Sequence, residues 1–350
     1  MTTQLRPLAL GEILDRTAEL YRNNFLLFAG IAAIFSAAML LVELISLGVL
    51  NLLGYPNVQG ARLWAVGGVV VAEALAIMLM AGLAVAANNR AVAWVHLGET
   101  ATIRAASQSI VPRLGRYLWV MTLTFLRAWS PLAVFYIVFY AIVFSLLPAG
   151  FFAHPGVVPN TPPPDPSKAI HAAIAMLILA PLMLGSAVYG TWMFLRYSLA
   201  MPASVVENLP AAQALKRSVH LSKGSRGRIL VLGLLVYAVR MLLGVILGMP
   251  YMIVVFKHAG QLPSLLWMAE AQFAGFVTNT LIGPIYATGL TLFYYDQRVR
   301  KEGFDIEWMM HQAGLNPDAE AGILGAAEAV LPAVVVPTVY AVAPDSVGER

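Results

Sequence analysis

Four charged residues stand inside long apolar stretches of this chain: Glu43, Glu73, Arg127 and Arg240. Each lies about ten residues from the end of its stretch, roughly 15 Å deep if the stretch is a membrane-crossing helix. An unpaired charge at that depth costs about 3 kcal/mol or more, so each is expected to face other helices and find a partner. Two acids and two bases invite glutamate–arginine pairing. Two roles fit such groups: an intramembrane polar site for an anion, a proton or a lipid headgroup, or structural salt bridges that hold helices in register.

Other chemistry is not signalled. The chain has no HExxH pair, no GxSxG elbow and no GxxxxGK[ST] phosphate loop. Its six histidines, His96, His154, His171, His220, His258 and His311, are too scattered for a ligand set. Cysteine is absent, which excludes disulfides, thiol nucleophiles and thiolate metal sites. The expectation is a non-enzymatic protein with no metal and no cofactor. A formal charge of +4, spread along the chain, does not point to nucleic acid. The Gly244/Gly248 pair has the spacing of a close helix–helix contact.

The elements that carry these charges follow from composition. Hydrophobic residues are 59% of the 350 and charged residues 11%, with mean hydropathy +0.75. Soluble domains carry about one quarter charged residues. Six stretches have the roughly 20 apolar residues a bilayer core requires: 25–53, 63–87, 117–147, 169–195, 229–256 and 265–295. The fold class is therefore an all-α integral membrane protein of six transmembrane helices. The first stretch is much longer than the ~7–15-residue apolar region of a signal peptide and reads as a retained span. Pro131, Pro181 and Pro284 fall within spans, where they predict kinks rather than breaks.

Of the 22 basic residues, seventeen fall in the N-terminus, two alternate loops and the C-terminus. Only Arg62, Lys168 and Lys257 occupy the other loops. By the positive-inside rule both termini are cytoplasmic. Residues 1–24 read as a cytoplasmic amphipathic helix, 25–310 as the membrane domain and 311–350 as a flexible cytoplasmic tail. Residues 321–344 are apolar, but Glu328, Pro332 and Pro337 interrupt them, so they read as tail rather than a seventh span. The loop Pro148–Lys168 contains PNTPPPDP, a stiff polyproline-type connector.

Three segments share one plan, a short amphipathic helix, a basic break and a span: ILDRTAELYRNNFLLFAGI, TIRAASQSIVPRLGRYLWVMTL and AQALKRSVHLSKGSRGRILVLGL. Arg90, Arg196 and Arg298 close the even-numbered spans. The spacing of about 100 residues reads as an internal repeat of three hairpins, each preceded by a cytoplasmic amphipathic helix at the inner membrane surface.

The two ends, LRPLALGEILDRTAELYRNNFLLF and LFYYDQRVRKEGFDIEWM, resemble the bacterial family of "glycerophosphoryl diester phosphodiesterase membrane domain" proteins. The resemblance spans most of residues 5–310. It implies a membrane fold in a bacterial inner membrane. It does not imply hydrolysis, because the family's catalytic domain would be a separate soluble barrel for which this chain has no room. In these motifs Asp15 and Arg16 flank the first span, while Asp296, Arg298, Arg300 and Lys301 follow the last one. The N-terminal GEILDR helix and the C-terminal DQRVRKEGFD segment are expected to pair, with Asp15 against Arg298. With Arg90 and Arg196 these residues form the candidate cytoplasmic interface, where basic groups meet anionic headgroups and a protein partner could dock. Two functions follow: first a scaffold or interaction protein of the membrane, and second a transporter of a small solute, ion or lipid through the Glu/Arg site.

Overall fold

A computed structural model describes residues 6–55, 62–146, 166–258 and 264–312. The proline-rich loop and the residues beyond 312, including 321–344, lie outside the described residues. Eleven α-helices, one short 3-10 helix (Val111–Arg113) and no strand occur among the described residues. Six are long and apolar enough to cross a membrane: α2 (Phe25–Leu52), α3 (Arg62–His96), α5 (Leu114–Leu146), α6 (Pro166–Tyr197), α9 (Arg226–Lys257) and α10 (Leu265–Glu302). The short helices are α1 (Leu10–Asn23), α4 (Ile103–Ile110), α7 (Ala200–Val206), α8 (Ala211–Ser222) and α11 (Phe304–Gln312). The chain divides into two compact units, residues 1–302 and 303–350. Gly303, at φ +67°, ends α10 in the left-handed conformation that glycine adopts without strain.

Helices run unbroken through Pro131, Pro181 and Pro284, and also through Pro250. Close to Pro284 an incoming side chain reaches the α10 backbone: the Tyr21 hydroxyl donates to the Leu281 carbonyl at 2.6 Å. At its other end α1 is held by the Leu8 N–H, which donates to Asp296 at 2.8 Å. Those two anchor points are fifteen residues apart on α10, about 22 Å, which matches the length of α1. So α1 lies lengthwise on α10, burying Ile13 and Thr17, and does not lie flat as a separate surface helix.

Buried apolar side chains concentrate at the end of the bundle where α10 terminates. There Phe28 and Ile31 of α2, Ala87 and Val92 of α3, Ile110 of α4, Tyr117 of α5 and Leu215 of α8 form one core. The short helices complete it. All of α7 from Ala200 to Val205 is buried, although its small residues show no helical periodicity. Toward the opposite end α5, α6 and α9 expose Ile137, Leu177, Leu184, Leu242, Ile246 and Phe256. A surface that apolar over several helices is stable only in lipid.

Close approaches are made at glycines other than the pair picked from the sequence. A Cβ at Gly289 of α10 would come within 2.6 Å of Leu232 on α9, and one at Gly190 of α6 within 3.0 Å of the Ala128 carbonyl on α5. Nothing lies within 4 Å of such a Cβ at Gly244 or Gly248. That part of α9 has no helix against its small residues, so the expected contact does not form there.

Candidate functional site

The four intramembrane charges do not pair as expected. Among the described residues none of Glu43, Glu73, Arg127 and Arg240 takes part in an ion pair. The two acids sit on adjacent, closely packed helices, α2 and α3, and act on each other electrostatically. Arg127 is exposed on α5, with its guanidinium 6.0 Å from the Tyr197 ring centre at the end of α6. Its partner is thus an aromatic face. The helices that carry the acids are not those that carry the bases, so pairing by charge count alone failed. Glu270, in the second turn of α10, is a further acid within a span, and its Oε2 is buried without a partner. Sequence reading passed over it because it lies close to a span end.

Arg240 lines a cleft of about 480 Å³ bounded by α2, α3, α6, α9 and α10. Its direction can be read from neighbouring contacts. Arg228 lies over Phe293 (5.8 Å), Leu232 meets Gly289 and Gly233 faces Tyr286, so α9 and α10 are antiparallel. Arg240 is two further turns along α9, about 12 Å beyond Leu232. The cleft is mostly apolar, walled by Ala32, Met39, Leu195, Ile229 and Leu234, with Ser36, Asn88 and Asn279 among its uncharged polar groups. Asn88 donates to the Ala84 carbonyl at 3.0 Å, leaving its buried Oδ1 without a partner. Behind it Thr291 donates to Asn89 Oδ1 at 3.1 Å. Leu234, Tyr237 and Arg240 are exposed, and α9 touches α6 only sparsely, so the cleft opens on the flank between these two helices. An apolar, laterally open cleft with one unpaired cation can accept an anionic group attached to something apolar.

The candidate interface residues have a different fate. Asp296 is fully buried and accepts from the Leu8 N–H, from Arg300 Nε at 2.9 and 3.0 Å, from Gln297 Nε2 at 2.9 Å and from Arg228 Nη2 at 3.5 Å. Arg300 also donates to the Leu8 carbonyl at 2.6 Å. The two ends of the membrane unit therefore meet, but through the backbone of Leu8. Asp15 is exposed on the side of α1 away from Ile13 and forms no ion pair among the described residues, so the expected Asp15–Arg298 contact is not made. Arg298 reaches Glu302 at 3.3 Å, and Arg16 reaches Glu19 at 3.8 Å. Lys301 Nζ donates to the carbonyls of His220, Leu221 and Lys223, closing the C-terminal end of α8.

Glu207 and Arg217 were missed by sequence reading. Arg217 bonds both Glu207 oxygens at 2.9 Å and Glu302 at 2.7 Å, and Tyr294 donates to Glu207 at 2.7 Å. Burial pulls the Arg217 pKa down, but the hydrogen bonds to Glu302 and Glu207 outweigh it and raise it. Neither residue stands in a pattern that distinguishes it from a solvated loop charge. Arg90 and Arg196 each leave a buried Nε without a partner; Arg90 lies 6.0 Å from the Trp94 ring, and the Arg196 carbonyl accepts from Ser218 and Ser222.

No family profile, curated protein or solved structure matches this chain. The function must be read from the chemistry of the cleft. Among the described residues no group of three or more potential ligands is placed to hold a metal ion.

Proposed function

We propose that this chain is a multi-pass protein of the bacterial inner membrane that binds an anionic amphiphile in the cleft lined by Arg240. In this reading the six spans form three hairpins, each introduced by an amphipathic helix (α1, α4 and α8), with both termini cytoplasmic. The resemblance of its two ends to the phosphodiesterase membrane-domain family supports reading residues 5–310 as a membrane domain.

The observation that carries this reading is Arg240, mid-span and without an ion pair among the described residues, on the wall of an open apolar cleft. A cation at that depth costs about 3 kcal/mol when uncompensated. The acids that could have neutralised it, Glu43 and Glu73, form no ion pair with it among the described residues. A phosphate or carboxylate borne by a lipid-like molecule supplies the missing charge, and its chain fills the apolar walls.

The test is thermal melting of the purified protein in neutral detergent with phosphatidylglycerol or phosphatidylcholine added. Saturation with a ligand at about 100 times its Kd contributes about 2.7 kcal/mol. Phosphatidylglycerol should raise the melting temperature above that with phosphatidylcholine, and Arg240→Gln should remove the difference. Equal stabilisation by the two lipids refutes the reading.

The scaffold role ranks second. It is favoured by the exposed charged face of α1, where Asp15 and Glu19 are accessible to a protein partner. Asp296, Arg300 and Lys301 are less suited to docking, since they are engaged inside the protein.

A further inference from the structure

The basic boundary of the cleft carries a second cationic group. Arg226, the first residue of α9, lies 4.8 Å from the ring centre of Trp192 on α6, and its Nε is buried without a partner. Arg196 is one turn beyond Trp192 on the same face of α6, with its own Nε in the same condition. Lys223 and Lys301 add positive charge beside Arg226. Glu302 acts on Lys301 with the opposite sign, but its carboxylate is bridged to Arg217 and Arg298 and not to Arg226. Trp192 is 52% exposed, the place of a tryptophan at the edge of the hydrocarbon.

Arg226 and Arg240 are related along α9. Fourteen residues separate them, which is four helical turns less about 40° and about 21 Å of rise. Both therefore fall on one side of α9: Arg240 lines the cleft, as do Ile229, Gly233 and Tyr237, and Arg226 stands just outside it, about one turn before Ile229. Half of a hydrocarbon core is about 15 Å thick. A headgroup anchored at Arg226 therefore cannot also reach Arg240, and a headgroup held at Arg240 has left the membrane surface.

We propose that the α6–α9 cleft is a path along which the phosphate of a phospholipid passes between the membrane surface and mid-membrane, with Arg226 as the boundary station and Arg240 as the inner one. The proposal rests on the binding reading above and assigns that site its cargo and its action, the half of a transfer between leaflets that runs from the Arg226 boundary to mid-membrane. The acyl chains remain in the surrounding lipid and along the apolar walls while the headgroup moves. Lateral opening between α6 and α9 lets the lipid enter without crossing the packed core.

The experiment uses the full chain in phosphatidylcholine vesicles containing a trace of phosphatidylglycerol labelled on its acyl chain with a fluorophore that dithionite bleaches. In empty vesicles only the outer leaflet's label is lost. With the wild-type protein bleaching should proceed to the inner leaflet's label as well. Arg240→Gln should stop it at the outer leaflet and remove the thermal preference for phosphatidylglycerol. In vesicles of the same protein made with about one quarter phosphatidylglycerol, Arg226→Gln should slow transfer by about fivefold, the factor one basic group near an anionic surface is worth, while keeping the thermal preference. Arg226→Lys should restore the rate, and Trp192→Leu provides a second perturbation of the same station if the glutamine variant does not fold. Bleaching confined to the outer leaflet with wild-type protein overturns the path and leaves the binding reading intact, provided the thermal preference persists. Loss of that preference as well overturns both. An unchanged rate in both Arg226→Gln and Trp192→Leu overturns the boundary station and with it the proposal.

Discussion

Replacing Asp296 with asparagine tests whether the meeting of the chain's two ends holds the membrane unit together. The substitution keeps the side chain's shape, removes its charge and turns one acceptor into a donor that faces Arg300. The carboxylate is fully buried, whereas Arg228 and Arg300 keep 29% and 37% of their side-chain surface in solvent. Leaving a buried charge uncompensated costs about 3–5 kcal/mol, and one hydrogen bond to a charged group contributes about 1.5–3 kcal/mol. Water can re-solvate the two arginines in part, so the loss should lie near the lower end, about 3 kcal/mol. With unfolding entropy of roughly 2 cal/mol/K per residue, a unit of 302 residues melts about 5 °C lower for that loss. Circular dichroism melting in a mild detergent measures this, with Asp15→Asn as the exposed control expected to shift by less than about 0.5 kcal/mol. Hydrogen exchange adds a local readout, because the Leu8 amide donates to this side chain and should lose protection when the arginine bridges that hold the contact are weakened. A fall no larger than that of Asp15→Asn, with Leu8 still protected, refutes the reasoning.

Tyr21→Phe removes the bond to Leu281 and should cost about 1 kcal/mol in the same melting assay. Burial pushes the Tyr21 hydroxyl pKa up to about 12, above its ordinary value of 10.0, so the unfolded chain ionises first. Its contribution is complete below pH 10 and falls as pH rises toward 12; the wild type should lose this increment over that window and Tyr21→Phe should not. Gly190→Ala places a Cβ 3.0 Å from both the Ala128 carbonyl and the Trp129 ring, and neither backbone nor ring can swing aside. Separation of α5 from α6 should cost about 1–3 kcal/mol, whereas Gly244→Ala, with open space around it, should be neutral or slightly stabilising.

Spans were legible because lipid imposes a composition on any segment it surrounds, and the first helix ends within one residue of its expected limit. The third helix shows where that logic stops. The apolar stretch closes at Ala87, yet α3 continues to His96 because Asn88, Asn89 and Arg90 pack against protein rather than meeting water. Hydropathy reads one solvent, and here the helix passes from lipid into a protein interior without changing form. For the same reason α7 left no trace: six consecutive small or apolar residues buried on every side carry no periodicity. The position of the four charges within long apolar helices was readable by counting. Their partners were not, since pairing depends on which helices become neighbours, and neither Glu43 nor Glu73 faces either arginine as its ion-pair partner. Arg240 was a candidate from sequence; Arg226 was not, because at a span border it is indistinguishable from a topology signal.

The bond between Leu8 and Asp296 joins positions 288 apart in the chain. A ribosome adding about 5–20 residues per second needs on the order of 15–60 s to travel from one to the other. Throughout that interval the first helix has been made but its seat on α10 has not. Its apolar side, with Ile13 at the centre, must wait uncovered or be sheltered by other cellular factors. The closing of this contact is accordingly a late event in biogenesis, and a truncated product lacking the sixth span would carry an unseated N-terminus that quality-control proteases can grip.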